Sequence, residues 1–377
     1  MGNRDLCERC GRCCLVKTSH DHFWVAENRY CPHFERLPDG RGNCRIYAHH
    51  VRHRIDAETI CVSAVELAGE RLLPESCPYA QAIPGYRSKV INYVQNLLNG
   101  ISFGTILFLL ASGLSISLGL MGILNLAHGA TYMVGGYIGW LLAVRGGVNF
   151  WFAVLIAGLA TGLLGLIIER GFLRYLYKKR NEQVLLTFGL IYILTNLTIW
   201  IYGAEPRAPF TAPFLSGSFN FLGWQYPTAR IAIILIGLVL VIGLWWLQDK
   251  TRLGAIVRAG MEDKETVTGL GINMGLVFTL VFFFASFLAG FAGVVGAQLL
   301  GVYPDLSLDV LLLALVVVVI GGMGNVRGTL LGSMIIGLIQ SFGVALFPEL
   351  AMFTIYLVMI IILLVRPSGL LGKRVPR

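Results

Sequence analysis

Apolar runs long enough to cross a bilayer recur along most of this chain, and they leave few folds open to it. Spanning the hydrocarbon core as a helix takes about 17–25 predominantly apolar residues. Runs of this character lie near 94–117, 129–144, 150–170, 184–203, 229–248, 276–300, 309–321, 329–347 and 350–366. Inside a bilayer every backbone N–H and C=O must be satisfied within the protein, so such runs read as helices. The expected fold is an all-α polytopic membrane protein with about eight to nine transmembrane helices. A mean hydropathy of +0.70 with only 14% charged residues agrees with that class.

The average conceals two pieces. Residues 1–90 hold 13 Lys+Arg and 11 Asp+Glu, whereas residues 91–377 hold 17 and 10. All eight cysteines and six of the seven histidines fall before residue 80. The expected domains are therefore 1–88, cysteine-rich, and 89–377, membrane-embedded, joined at the turn-forming stretch Pro84–Ser88. The net charge of +9 does not indicate nucleic acid. Its excess sits in clusters beside the apolar runs, such as Arg170, Arg174, Lys178, Lys179 and Arg180, or Arg366, Lys373, Arg374 and Arg377. Membrane orientation and anionic lipid account for such clusters. Met1–Leu15 has no apolar core of the kind a signal peptide needs.

The cysteines are Cys7, Cys10, Cys13, Cys14, Cys31, Cys44, Cys61 and Cys77. Two-residue spacings such as Cys7-x-x-Cys10 suit metal ligation, because a tight turn aims both sulfurs at one ion. Disulfides are the alternative, and they need an oxidising compartment. Adjacent Cys13 and Cys14 do not readily both pair in one compact scheme. The expected ligand is zinc or iron, iron–sulfur included. The opening CxxCGxCC, the middle Cys44-Arg-Ile-Tyr47 and the late Leu73-Pro-Glu-Ser-Cys77-Pro-Tyr79 resemble a bacterial cysteine-cluster family described as zinc- or iron-chelating, over about residues 5–80. That resemblance implies a metal and little more.

Within the membrane section, Lys250–Asn273 stands out as polar between two apolar runs. Its cations place it, with Arg170–Arg180 and the C-terminus, on the cytoplasmic side. The 204–228 loop, whose only cation is Arg207, is placed outside. Three spans before Arg170 would leave the N-terminus outside; two, with 121–144 re-entrant, would leave it inside. Gly260–Thr268 is expected to form a short helix stopped by Gly269 and Gly271. Its residues Arg258, Glu262, Asp263, Lys264, Glu265, Gly269 and Gly271 are the candidate contact with a separate ATPase. Gly321-Gly322-Met323-Gly324 breaks the run before it, and a break at membrane depth lines a cavity or is buried in protein. Asn125, His128, Gly321, Gly322 and Gly324 are the candidate translocation path, with helix-end capping as the bland reading of Asn125 and His128. Asp305 and Asp309 could meet a soluble binding protein. Glycines four apart, Gly158 with Gly162 and Gly324 with Gly328 and Gly332, point to close helix packing.

What is missing narrows the function. There is no G-x-x-x-x-G-K-[ST] phosphate loop, so no nucleotide is expected on this chain. No chain of charges runs through the spans, as an ion-coupled carrier would need. A membrane redox protein would need haem or quinone ligands in its spans, and a single histidine does not supply them.

The runs Asn96–Gly104, Gly122–Gly129, Arg258–Asn273, Ala289–Gly293 and Gly321–Gly328 resemble, in order from about 91 to 371, permease subunits of branched-chain amino-acid ABC importers. The resemblance implies a multi-pass protein of a bacterial inner membrane, and no enzyme. Its implied partners are a second permease subunit, two ATP-binding subunits and a periplasmic substrate-binding protein. Some members of that superfamily carry urea or short amides instead. The cysteine segment departs from the family, as a fusion or a gene-boundary artefact would, and a metal- or redox-sensing membrane protein is the alternative reading.

Overall fold

The computed structural model describes residues 89–372, apart from 123, 178, 213–214, 216 and 222–223, together with four short strands before residue 45. The chain divides into two compact units, Met1–Asn92 and Tyr93–Arg377. In the first, β1 (Lys17–Thr18) pairs antiparallel with β2 (Trp24–Val25), and β3 (Phe34–Arg36) with β4 (Gly42–Cys44). Cys7, Cys10, Cys13, Cys14, Cys31, Cys61 and Cys77 lie outside the described residues, and Cys44 is placed only as the end of β4.

The second unit is helical. Its order is α1 (Lys89–Met121), α2 (His128–Trp140), α3 (Phe150–Gly171), α4 (Arg180–Tyr202), α5 (Thr228–Lys250), α6 (Arg252–Glu262), α7 (Lys264–Gly269), α8 (Met274–Leu300), α9 (Leu306–Gly321), α10 (Val326–Leu346) and α11 (Ala351–Val365). Among the described residues, six helices are long and apolar enough to cross a membrane: α1, α3, α4, α5, α8 and α10. Two shorter apolar helices, α9 and α11, and the half-length α2 complete the bundle. The all-helical expectation thus holds for the membrane section, though six described helices rather than eight to nine are long enough to span, and the 204–228 loop adds two strands. There β5 (Ser218–Phe221) and β6 (Trp224–Pro227) make a small hairpin.

Burial separates centre from rim. The apolar windows of α1 and α8 are 78% and 67% buried, that of α5 only 11%, so α1 and α8 form the axis and α5 stands at the edge. Ile106, Leu110 and Leu114 of α1 meet Tyr132 and Met133 of α2 and Ala289 and Ala292 of α8 in one core. Small residues make this possible, since lipid is as apolar as leucine and tight packing must hold the helices together. A Cβ at Gly135 of α2 would overlap Gly290 of α8, and one at Gly158 or Gly162 of α3 would meet the rings of Phe287 or Phe283 at 2.9 and 2.8 Å. Gly328 and Gly332 of α10 likewise press on Gly321 and on the Val317 carbonyl of α9.

Two contacts fix the direction of α1. Near its start, Asn99 accepts from Tyr226 (3.0 Å) and Arg230 at the head of α5. Near its end, Gly119 lies against Gly324 and Met261, and Leu120 against Gly260 of α6. The start of α1 is therefore on the face opposite α6 and α7. Two helices long and apolar enough to cross, α1 and α3, precede or contain Arg170, with the half-length α2 between them.

Candidate functional site

The segment between α5 and α8 is built from two capped helices. Thr251 caps α6 by accepting from the Gly254 amide at 3.1 Å. Asp263 caps α7, its carboxylate accepting from the amides of Glu265 (3.0 Å) and Thr266 (3.1 Å) and from the Thr266 hydroxyl. These bonds, the Thr266 hydroxyl foremost, hold the Asp263 carboxyl below the usual carboxylate range. A lowered value means that the cap is intact at neutral pH and is lost only as pH falls through it. The single helix expected over 260–268 is thus corrected to a pair broken at Asp263. An aspartate competes with helical backbone bonding and prefers to cap, and Asp263 is extended (φ −149°, ψ 101°). The stop is where the glycines suggest: α7 ends at Gly269, and Gly271 turns left-handed at φ +82°.

The pair has an inner and an outer side. Gly260 and Val267 are buried, Val267 in a cluster with Leu120, Met274, Val277 and Val281. Two of the expected contact residues are tied to the bundle. Arg258 pairs with Asp249 (3.4 Å), which also holds Arg327 of α10, and the Lys264 ammonium donates to the Met121 carbonyl at 3.1 Å. Glu262, Asp263, Glu265, Gly269 and Gly271 are exposed. Between them stands Leu270, 75% exposed, an apolar side chain that the charge pattern alone did not single out.

The candidate path residues separate into two places. Asn125 and His128 flank the turn between α1 and α2 and are buried. His128 Nε2 donates to the Leu110 carbonyl at 3.0 Å; a carbonyl only accepts, so Nε2 carries a proton. His128 Nδ1 and Asn125 Oδ1 have no partner in the described structure. Gly321, Gly322 and Gly324 lie instead at the α6 end of the bundle, under the C-terminal tail. The amides of Leu370 and Leu371 bond Ile320 (2.7 Å) and Gly321 (3.2 Å), and Asn325 Nδ2 bonds Leu371 (2.8 Å). Gly324 at φ +76° abuts Gly119. This junction is closed by packing. Asp305, just before α9, and Asp309, in its first turn, are both exposed, and Asp309 accepts from Tyr303 at 2.9 Å.

A cleft of about 320 Å³ runs between α1, α5, α6 and α8, lined by Ile116, Leu244, Leu247, Val257, Phe284 and Leu288 among others. It reaches Gly113, where an added Cβ would come 3.2 Å from His128 Cε1. A buried carboxylate lies apart from the cleft lining. Glu169, at the end of α3, accepts from Thr279 (2.8 Å) and from Tyr177. Burial and the Glu169 carboxylate push the Tyr177 phenol well above its ordinary value, so it is a donor. Read as a span end, Glu169 gave no sign of this, because its partners come from a turn and a later helix.

The family described as branched-chain amino acid transport system / permease component matches residues 96–363. This chain belongs to that family. The permease is 29% identical over 299 residues to the high-affinity branched-chain amino acid transport system permease protein BraD of Pseudomonas aeruginosa, covering 76% of this chain and 97% of the relative. It is 28% identical over 302 residues to LivH of Escherichia coli K12, covering 74% and 96%. It is also 29% identical over 295 residues to LivM of the same organism, covering 72% and 69%. A solved assembly, PsaBC from Streptococcus pneumoniae in complex with Fab, aligns with a TM-score of 0.42 at 12% identity, over 75% of this chain and 96% of that one. Membership makes the permease a multi-pass inner-membrane transport component and not an enzyme. The cysteine segment lies outside the matched residues.

Proposed function

We propose that this chain is a permease subunit of an ATP-driven importer for branched-chain or related amino acids. It would work with a second permease subunit, two ATP-binding subunits and a periplasmic binding protein. The observation that carries the reading is the α6–α7 pair, fastened to the bundle on one side and presenting Leu270 among acidic and small polar residues on the other. An exposed leucine in such surroundings suits a partner protein that buries it. Positive-inside orientation puts that partner in the cytoplasm, where ATP is.

A branched-chain amino acid is favoured over urea or a short amide because the relatives this chain matches are named for branched-chain amino acid transport. The assembled transporter in proteoliposomes should take up labelled leucine with ATP, unlabelled isoleucine and valine competing and urea not. Uptake blocked by urea alone would reverse the choice of substrate.

The cysteine segment is proposed to hold zinc or iron, on its ligand spacing alone. Elemental analysis of the purified full-length protein should find one of them bound in stoichiometric amount. Metal-free protein with oxidised cysteines would overturn it in favour of disulfides.

A further inference from the structure

We propose that Lys264 is the positioning residue that carries movement of α7 into the break between α1 and α2. The inference rests on the reading of α7 as the segment facing the ATPase, and it says where the movement goes. The Lys264 ammonium donates to the Met121 carbonyl at 3.1 Å. Met121 is the last residue of α1, and the final carbonyls of a helix lack intrahelical partners and carry partial negative charge. A lysine placed there is held by charge as well as by the hydrogen bond.

The same ammonium lies 5.5 Å from the centre of the Phe278 ring near the start of α8. Phe278 meets Tyr177 edge-on at 5.1 Å and 83°, and Tyr177 donates to the buried Glu169, which also accepts from Thr279 of α8. One side chain on α7 thus touches the ends of α1 and α8 directly and the end of α3 through two rings. Such contacts form a continuous physical chain from the loop into the bundle.

What Lys264 grips matters more than how firmly it grips. The next residue, Gly122, is left-handed at φ +69°, and helix does not resume until His128. A pull on Met121 is therefore not absorbed along a stiff helix but acts on the turn holding Asn125 and His128. Both residues are buried, so a shift of this turn moves polar groups inside the bundle.

The test compares Lys264→Met, which keeps the stem over Phe278 and loses the ammonium, with Lys264→Arg, which keeps a cation. In the complete transporter the substrate moved per ATP hydrolysed should fall about tenfold for Met, the factor expected from losing one charge-assisted hydrogen bond. Arg should keep most of it. A wild-type ratio in the Met variant overturns the proposal. In the permease alone, without ATPase or nucleotide, amide exchange across 121–128 should be about tenfold faster in the Met variant. Equal exchange overturns the proposal whether or not ATPases dock, whereas a wild-type permease that fails to bind ATPases sinks the reading of α7 instead. Should Lys264→Met not fold, Lys264→Gln removes the charge and shortens the reach to the Met121 carbonyl, and wild-type values in both measurements overturn the proposal equally.

Discussion

Gly293→Val is expected to abolish the folded permease. Gly293 lies on α8 where α2 crosses it, and a Cβ there would overlap the Tyr132 carbonyl and stand 2.9 Å from the Gly136 amide nitrogen. Both are backbone atoms of α2, so no rotamer change makes room. Either α2 moves away from α8 or the valine cannot be accommodated. Moving α2 away would break its packing along Gly135, Gly136 and Gly139, each of which approaches α8 closely. Overpacking that side chains can absorb costs about 1–3 kcal/mol. Here the backbone must yield, so the cost exceeds that range, against a typical total stability of about 5–15 kcal/mol. Membrane preparations should yield no monodisperse protein in detergent. Gly293→Ala should give a weakened but recoverable protein. Gly189→Val is the matched control, since nothing lies within 4 Å of a Cβ at Gly189. Wild-type yield and unfolding temperature for Gly293→Val would show that α2 and α8 do not pack as described.

Much of this bundle is legible in the sequence because its long helices are set by local composition. The runs near 150–170, 229–248 and 276–300 lie within α3, α5 and α8, since any apolar run of that length in a bilayer satisfies its own backbone. Spaced glycines correctly announce close approach at Gly158, Gly162, Gly328 and Gly332, although which helix each meets depends on topology. Nothing local says that Gly158 meets Phe287. The candidate site was read less completely, for the same reason. Its charged residues look alike in sequence, yet Arg258 pairs with Asp249 nine positions away and Lys264 turns in to Met121 143 positions away, while Glu262 and Glu265 are exposed. The inward turn of Lys264 depends on where α1 happens to end. The closed junction at Gly321–Gly324 likewise depends on the tail at 369–372, too distant in sequence for a break in hydropathy to reveal. Leu270 was overlooked because one leucine in a polar loop is unremarkable until its exposure is known.

Leu270→Glu is expected to disconnect transport from ATP while leaving the permease folded. Leu270 follows α7 at the turn completed by Gly271 and is 75% exposed. Its immediate surface is polar: Glu265, Thr266, Thr268, Gly269 and Gly271 are all exposed, so the side chain stands in water unless a partner covers it. A glutamate there meets no core atom, and substitutions at such sites usually change stability by less than about 0.5 kcal/mol. Docked against an ATPase, the same change would bury an unpaired carboxylate where an apolar anchor belongs. Central anchors of protein interfaces are worth about 2 kcal/mol or more, which converts to at least a tenfold loss of affinity. ATP-driven leucine uptake should fall by at least that factor, with co-purification of the ATP-binding subunits lost and the unfolding temperature of the isolated permease unchanged. Leu270→Met, which keeps the apolar bulk, should retain uptake. If the glutamate variant transports normally with its ATPases bound, Leu270 is not in the interface, and the acidic side of α6–α7, at Glu262 and Glu265, must make the contact without it. Loss of uptake with the ATPases still bound would mean instead that Leu270 transmits the stroke rather than the grip. That outcome would move it into the same functional class as Lys264, on the opposite side of α7.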